Sequence, residues 1–368
     1  MAIFKSFGRN PTEKEQRRFL NSANYYNGTF KNLFMTRMIV EKASYINMTW
    51  KFFNKPKNTS PHARLPSIKT NLSTIHSTQP VIIWLGHSSF FIRLGGRNIL
   101  VDPVLSGYAS PFSFTGKSFA GSDIFSEDEL PEIDLLIITH DHYDHLDYST
   151  ILGLKSKVKN IFTSLGVGSH LRYWGVEAQI ITEMDWGEEA HVKGTETSEE
   201  IRVIATTSRH FSGRGLVRNK TLWSSFVLST RSNRIFVGSD SGYGTHFKEI
   251  GQSHGPFDIA LLESGQYNAD WPDIHMMPEE TVQAAIDLRA EVLMPVHWGK
   301  FALAFHSWDE PPRRILQKAT ELKVKVTTPM IGEPVIIGEV YPEKRWWEMG
   351  DGRQEAGGRR QEAGGGRQ

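Results

Sequence analysis

Thr139-His140-Asp141-His142-Tyr143-Asp144-His145 places three histidines and two aspartates within six consecutive positions. The apolar run Leu135-Leu136-Ile137-Ile138 precedes it and reads as a buried strand. Side chains alternate along an extended segment, so His140 and His142 share one side. Asp144 and His145 then fall in the turn before a helix expected to start near Asp147. One short segment thus offers two imidazoles to one metal ion, and a carboxylate with an imidazole to a second. A single histidine after a strand is more often a hydrogen-bonded structural residue. Five such groups packed together without a cation would leave costly unpaired polar atoms. Imidazole and carboxylate without thiolate suit two Zn²⁺, with Mn²⁺ or Fe as the other expected ions.

Three more apolar runs end in a candidate ligand. Residues 201–205 lead to His210, residues 235–237 to Asp240, and residues 292–296 to His297. Taken singly, each reads as structural. As a set they complete two coordination spheres at one edge of a sheet, where α/β folds gather their sites.

The 368 residues carry 42 Lys+Arg, 41 Asp+Glu, 14 His and no Cys. The missing cysteines exclude disulfides, thiolate metal sites and cysteine nucleophiles. The balanced charge and the lack of a basic stripe disfavour nucleic acid as a partner. The N-terminus lacks the apolar run of a signal peptide, and no run is long enough to span a bilayer. A cytoplasmic location, with peripheral membrane contact in the case of a lipid substrate, is the expectation.

Strands are expected at 81–85, 90–94, 98–101, 134–138, 200–205, 225–228, 234–237, 258–262 and 291–296. Helices are expected at 148–154, 278–288 and 311–322. The mixture argues for an α/β or α+β domain over residues 79–345. Residues 1–78, rich in breakers toward their end, read as an extension packed on that domain. Its apolar cluster Phe30, Leu33, Phe34, Met35, Met38 and Ile39 is expected to pack on the body rather than face a membrane or partner. Residues 346–368, repeating Arg-Gln-Glu-Ala-Gly-Gly from 350 onward, read as a disordered tail.

The His-x-His-x-Asp-His pattern resembles the metallo-β-lactamase superfamily. Trp84-Leu85-Gly86-His87-Ser88-Ser89-Phe90, Val101-Asp102-Pro103-Val104, Gly238-Ser239-Asp240-Ser241-Gly242-Tyr243 and His297-Trp298-Gly299-Lys300-Phe301-Ala302-Leu303 narrow the likeness. They are similar to the N-acylphosphatidylethanolamine-hydrolysing phospholipase D branch and its bacterial relatives. The resemblance implies an αββα sandwich of two mixed sheets flanked by helices. It assigns His140, His142 and His210 to one metal, Asp144, His145 and His297 to the other, and Asp240 to a bridging position. The family's Gly-Asp-Thr-Gly is Ser239-Asp240-Ser241-Gly242 here, which keeps the ligand and a small hydroxyl. His275 matches a further active-site histidine of that branch.

The implied activity is phosphodiester hydrolysis of a phospholipid or other amphiphile. Asp144 and His275 are the catalytic candidates beyond plain ligation. His275, Tyr267 and Met276 are the substrate-binding candidates, and aromatics such as Phe211 and Trp271 could receive an acyl chain. Arg209 and Arg214, beside a ligand loop, could meet a phosphate or merely be solvated. His87 is expected near the site in a structural hydrogen bond. A lactonase or other small-ester hydrolase is the enzymatic alternative, and a metal-holding binding protein the non-enzymatic one. A homodimer is the assembly considered.

Overall fold

A computed structural model describes residues 5–40, 49–51 and 54–349. The repetitive tail from 350 and part of the amphipathic piece at 33–50 lie outside the described residues.

Two seven-stranded sheets carry the architecture. The first contains β1 (Val81–Trp84), β2 (Phe90–Leu94), β3 (Arg97–Val101), β4 (Leu135–Ile138), β5 (Ile161–Ser164) and β6 (Ile181–Met184). The second contains β7 (Glu189–Val192), β8 (Ile201–Thr206), β9 (Ser225–Ser229), β10 (Arg234–Val237), β11 (Ile259–Glu263), β12 (Val292–Val296) and β13 (Lys325–Val326). A last strand, β14 (Pro334–Ile336), returns to the first sheet and pairs antiparallel with β1. The orders are β14-β1-β2-β3-β4-β5-β6 and β13-β12-β11-β10-β9-β8-β7. Each sheet has three antiparallel pairings on one side and three parallel ones on the other.

Helices α1 (Tyr148–Leu154) and α2 (Gly168–Tyr173) belong to the first sheet's crossovers. α3 (His246–His254), α4 (Pro278–Asp287) and α5 (Glu310–Leu322) cover the second sheet. Strand alternation explains the layering. Ile235 and Val237 of β10, Ile259 and Leu261 of β11 and Met294 of β12 enter the core shared by both sheets. Their neighbours Phe236, Ala260, Leu262 and Leu293 point outward and meet Phe247, Val282, Ala285 and Ile315 of α3, α4 and α5. The result is an αββα sandwich.

One boundary differs from expectation. Trp346 and Trp347 are fully buried, so the folded body runs to 349 and the tail does not begin at 346. Trp346 stacks on Trp298 at 5.0 Å, a contact that no local pattern reveals. The extension divides in its behaviour. Phe19 and Phe30 pack with Leu165, Leu222 and Trp223, whereas Leu33 and Met35 stay exposed.

Candidate metal centre

All the ligand candidates sit on loops at one edge of the sandwich, beyond the C-terminal ends of β4, β8, β10 and β12. Three imidazole nitrogens converge there. His140 Nε2 lies 3.0 Å and His210 Nε2 3.2 Å from His142 Nδ1. Asp240 Oδ2 lies 3.8 and 3.7 Å from the same two Nε2 atoms. Its other oxygen, Oδ1, lies 3.2 Å from His145 Nε2 and 3.2 Å from His297 Nδ1. Asp144 Oδ2 is 3.7 Å from His145 Nε2 and 4.0 Å from His297 Nε2. Asp240 therefore turns one oxygen to each of two ligand groups.

Hydrogen bonds fix the tautomers. The Ile274 carbonyl can only accept, so His210 Nδ1 donates to it at 2.9 Å and keeps its Nε2 lone pair. Asp102 accepts from His145 Nδ1 at 2.7 Å and from Thr139 Oγ1 at 2.6 Å. With its proton spent on Asp102, the Thr139 hydroxyl accepts from His140 Nδ1 at 3.0 Å. His140 then presents a bare Nε2 lone pair to the centre, and His145 turns its Nε2 the same way. His145 Nε2 and Asp240 Oδ1 are buried with no hydrogen-bond partner among the described residues. Ring nitrogens and carboxylate oxygens gathered this way, two of them buried without a partner, fit cations held in both groups.

Electrostatics agree. Burial holds His140, His210 and His297 well below the ordinary imidazole value, in the neutral form that binds metal. Burial opposes charge on Asp144 and Asp240, but His145 and other imidazoles outweigh it and keep both well below the usual carboxylate range.

His87 is fully buried, with Nε2 2.9 Å from Asp144 Oδ2 and its ring 4.0 Å from that of His297. His275 borders the cavity over the ligands, with its ring 5.0 Å from His210 and 5.4 Å from His297. That cavity, about 280 Å³, is lined by Met38, Ile39, Phe211, Arg218, Gln266, Trp271, Ile274 and Leu303 as well as ligands. A larger groove, about 1200 Å³, contains Gly95, Gly96 and Arg231 at the opposite edge and no ligand.

Two substrate candidates need correction. Met276 is fully buried among Leu262, Val282 and other core residues, because strand and helix packing claims its side chain. Tyr267 is buried too, donating to Glu310 at 2.7 Å and stacked on His306 at 4.2 Å. Neither lines the cavity. Arg209 and Arg214 are also committed elsewhere. Arg214 is buried and donates to the carbonyls of Asp141, Leu146 and Ser6 at 2.7–2.8 Å. Arg209 donates to the carbonyls of Tyr243 and Met35 and pairs with Asp273. Arg218, Gln266 and Glu263 were missed. They belong to no ligand motif, and only the fold brings them near the centre.

Two facing sheets with seven imidazole and carboxylate groups along one edge, all but His142 buried, are the arrangement of a metal-dependent hydrolase. The chain belongs to the beta-lactamase superfamily, whose domain matches residues 97–298. It is 38% identical over 333 residues to an uncharacterised protein of Mycobacterium tuberculosis, covering 89% of this chain and 88% of that one. It is 29% identical over 287 residues to N-acyl-phosphatidylethanolamine-hydrolyzing phospholipase D 1 of Caenorhabditis elegans, covering 71% of this chain and 79% of the other. Among solved structures, the metallo hydrolase Igni18 of Ignicoccus hospitalis shares the fold, with TM-score 0.54 and 20% identity over 70% of this chain and 98% of its own.

Proposed function

We propose that the protein is a zinc-dependent phosphodiesterase of phospholipase D type, acting on N-acylphosphatidylethanolamine-like lipids or similar amphiphiles. The observation that carries this reading is the lining of the cavity. Apolar Met38, Ile39, Phe211, Trp271, Ile274 and Leu303 face the ligands, and Arg218 is the cation at the rim. An acylated phosphodiester has matching halves: an anionic group for the metal edge and Arg218, and alkyl surface for the remainder. The similarity to the worm phospholipase supports the same choice.

His140, His142 and His210 would hold one ion, Asp144, His145 and His297 the other, with Asp240 between them. The all-nitrogen-and-oxygen donor set favours zinc. Bound ions would supply a water of lowered pKa and neutralise charge on phosphoryl oxygens. The protein's own groups do the rest. Asp144, held by His87, orients the attacking water. His275 protonates the leaving oxygen. Arg218 offsets charge on the non-reacting part of the substrate.

Met35 is 89% exposed and Leu216 fully exposed, on the two segments that give Met38 and Arg218 to the cavity. These are the proposed contacts with a lipid surface, at the cytoplasmic face of a membrane. A volume of about 280 Å³ is small for a whole lipid, which favours a lactone or other small ester as the second reading. Zinc-loaded protein given N-acylphosphatidylethanolamine in mixed micelles is expected to release phosphatidic acid. Turnover of lactones with no phosphatidic acid would replace the first reading by the second.

A further inference from the structure

We infer that Glu263 is a positioning residue for His275, holding its Nδ1–H inward so that Nε2 faces the cavity as proton donor to the leaving group. The inference rests on the hydrolytic reading of the centre above and adds a residue to it.

Glu263 ends β11 and is 1% exposed. Its Oε1 accepts the Met276 amide at 2.6 Å, which ties the strand end to the loop carrying His275. Its Oε2 lies 3.5 Å from His275 Nδ1. Both atoms are enclosed, and neither has a hydrogen-bond partner among the described residues. No Lys or Arg among those residues forms an ion pair with Glu263, so His275 is the one side chain there that can answer its charge. A carboxylate buried beside one imidazole is costly unless the ring turns an N–H toward it. A small tightening from 3.5 Å makes that hydrogen bond. The ring is also wedged against the rings of His210 and His297, so its orientation is restricted on two sides. With Nδ1 enclosed, Nε2 is the nitrogen left to the cavity that His275 lines.

The chemistry balances. The attacking water oxygen forms the new bond to phosphorus, and its displaced proton leaves to solvent. As the bond from phosphorus to the leaving oxygen breaks, the electron pair stays on that oxygen, which takes the proton from Nε2. His275 is left neutral, with Nδ1–H still donated to Glu263, and regains a proton from solvent.

The test is Glu263→Gln in the zinc-loaded protein, with zinc content and thermal stability checked first. Long-range ¹⁵N–¹H spectra recorded at a pH where the ring is neutral, assigned with His275→Gln, are expected to show Nδ1–H in the parent and loss of that tautomer in Glu263→Gln. An unchanged tautomer overturns the proposal. The second readout uses two phosphodiesters that differ only in the leaving group. With an alkoxide, kcat is expected to fall about 10- to 100-fold at unchanged KM. With p-nitrophenolate, which needs no proton, the fall should stay below about threefold. Equal losses on both substrates would mark a merely structural role. If Glu263→Gln fails to fold, His275→Gln must show the same leaving-group dependence, and its absence sinks the idea. If no phosphodiester is turned over, the substrate reading fails while the tautomer measurement still decides the role of Glu263.

Discussion

Asp102 touches neither proposed ion, yet through Thr139 and His145 it sets the tautomers of two ligands. It sits at φ +40°, and His87, Gln266 and His297 also hold left-handed backbone, at +54°, +63° and +66°. Such conformations persist only where surrounding contacts over-determine them. The His297 amide, for example, donates to the His87 carbonyl at 3.0 Å. His145 yields a pH prediction. Burial pulls its pKa down, but Asp240, Asp144 and Asp102 outweigh burial and raise it well above the ordinary value. In metal-free protein it is therefore protonated at neutral pH. Its stabilising contribution is complete below the ordinary imidazole value and is lost as pH rises through the raised one. An ion at Nε2 must displace that proton. Binding at this group should release about one proton at pH 7 and tighten as pH rises. Calorimetry in buffers of different ionisation enthalpy would show it, and zero release would refute it. Gly265 gives a steric prediction. A Cβ there would stand 2.0 Å from the His297 carbonyl oxygen. Gly265→Ala must shift His297, and zinc affinity measured by chelator competition should fall about 10-fold or more.

Among elements, those with long apolar runs were legible in the sequence, including β1, β2, β4, β10, β11 and β12. β5 and β6 were not, because their Thr, Ser and Glu interrupt the pattern. Glu183 of β6 is nonetheless buried, since it accepts the Gly166 amide at 2.8 Å and pairs with Arg18 and Arg172. β14 has only three residues. It exists because the free edge of β1, far earlier in the chain, offers unpaired backbone groups. The turn after it brings Trp346 under Trp298, next to the ligand His297. Trp346→Ala should cost about 3–5 kcal/mol by denaturant unfolding. A loss under about 1 kcal/mol would mean the site collapses around the gap.

For the whole molecule, the extension is part of the site's wall. Asn32 donates to the His210 carbonyl at 2.7 Å and accepts its amide at 3.1 Å. Arg37 donates to Asp273, two residues before His275, at 2.9–3.3 Å. Met38 and Ile39 close the cavity. Deleting the extension would thus damage the centre itself, so point changes are the sharper probe of lipid contact. Met35→Glu with Leu216→Glu should lower vesicle binding in a sedimentation assay several-fold, leaving turnover of a soluble diester within about twofold. Unchanged binding would remove these residues from any membrane contact. Among the described residues, no helix is long and apolar enough to cross a membrane.

By itself the sequence brought forward the candidate ligands, because period-two alternation and apolar runs ending in His or Asp are local properties of the chain. It indicated most strands and a mixed α/β domain for the same reason, while the αββα layering was implied by the resemblance of its motifs to a known superfamily. Only the tertiary structure decided which side chains surround those ligands. Asp102 and Asn32 reach their partners across 37 to 178 residues of sequence, Glu263 and Arg218 come to their places through the folding of loops, and Tyr267 and Met276 turn inward because helix and strand packing claims them. The stretch from Thr139 to His145 carries its chemistry in its spacing. What stands opposite it is set by how two sheets close.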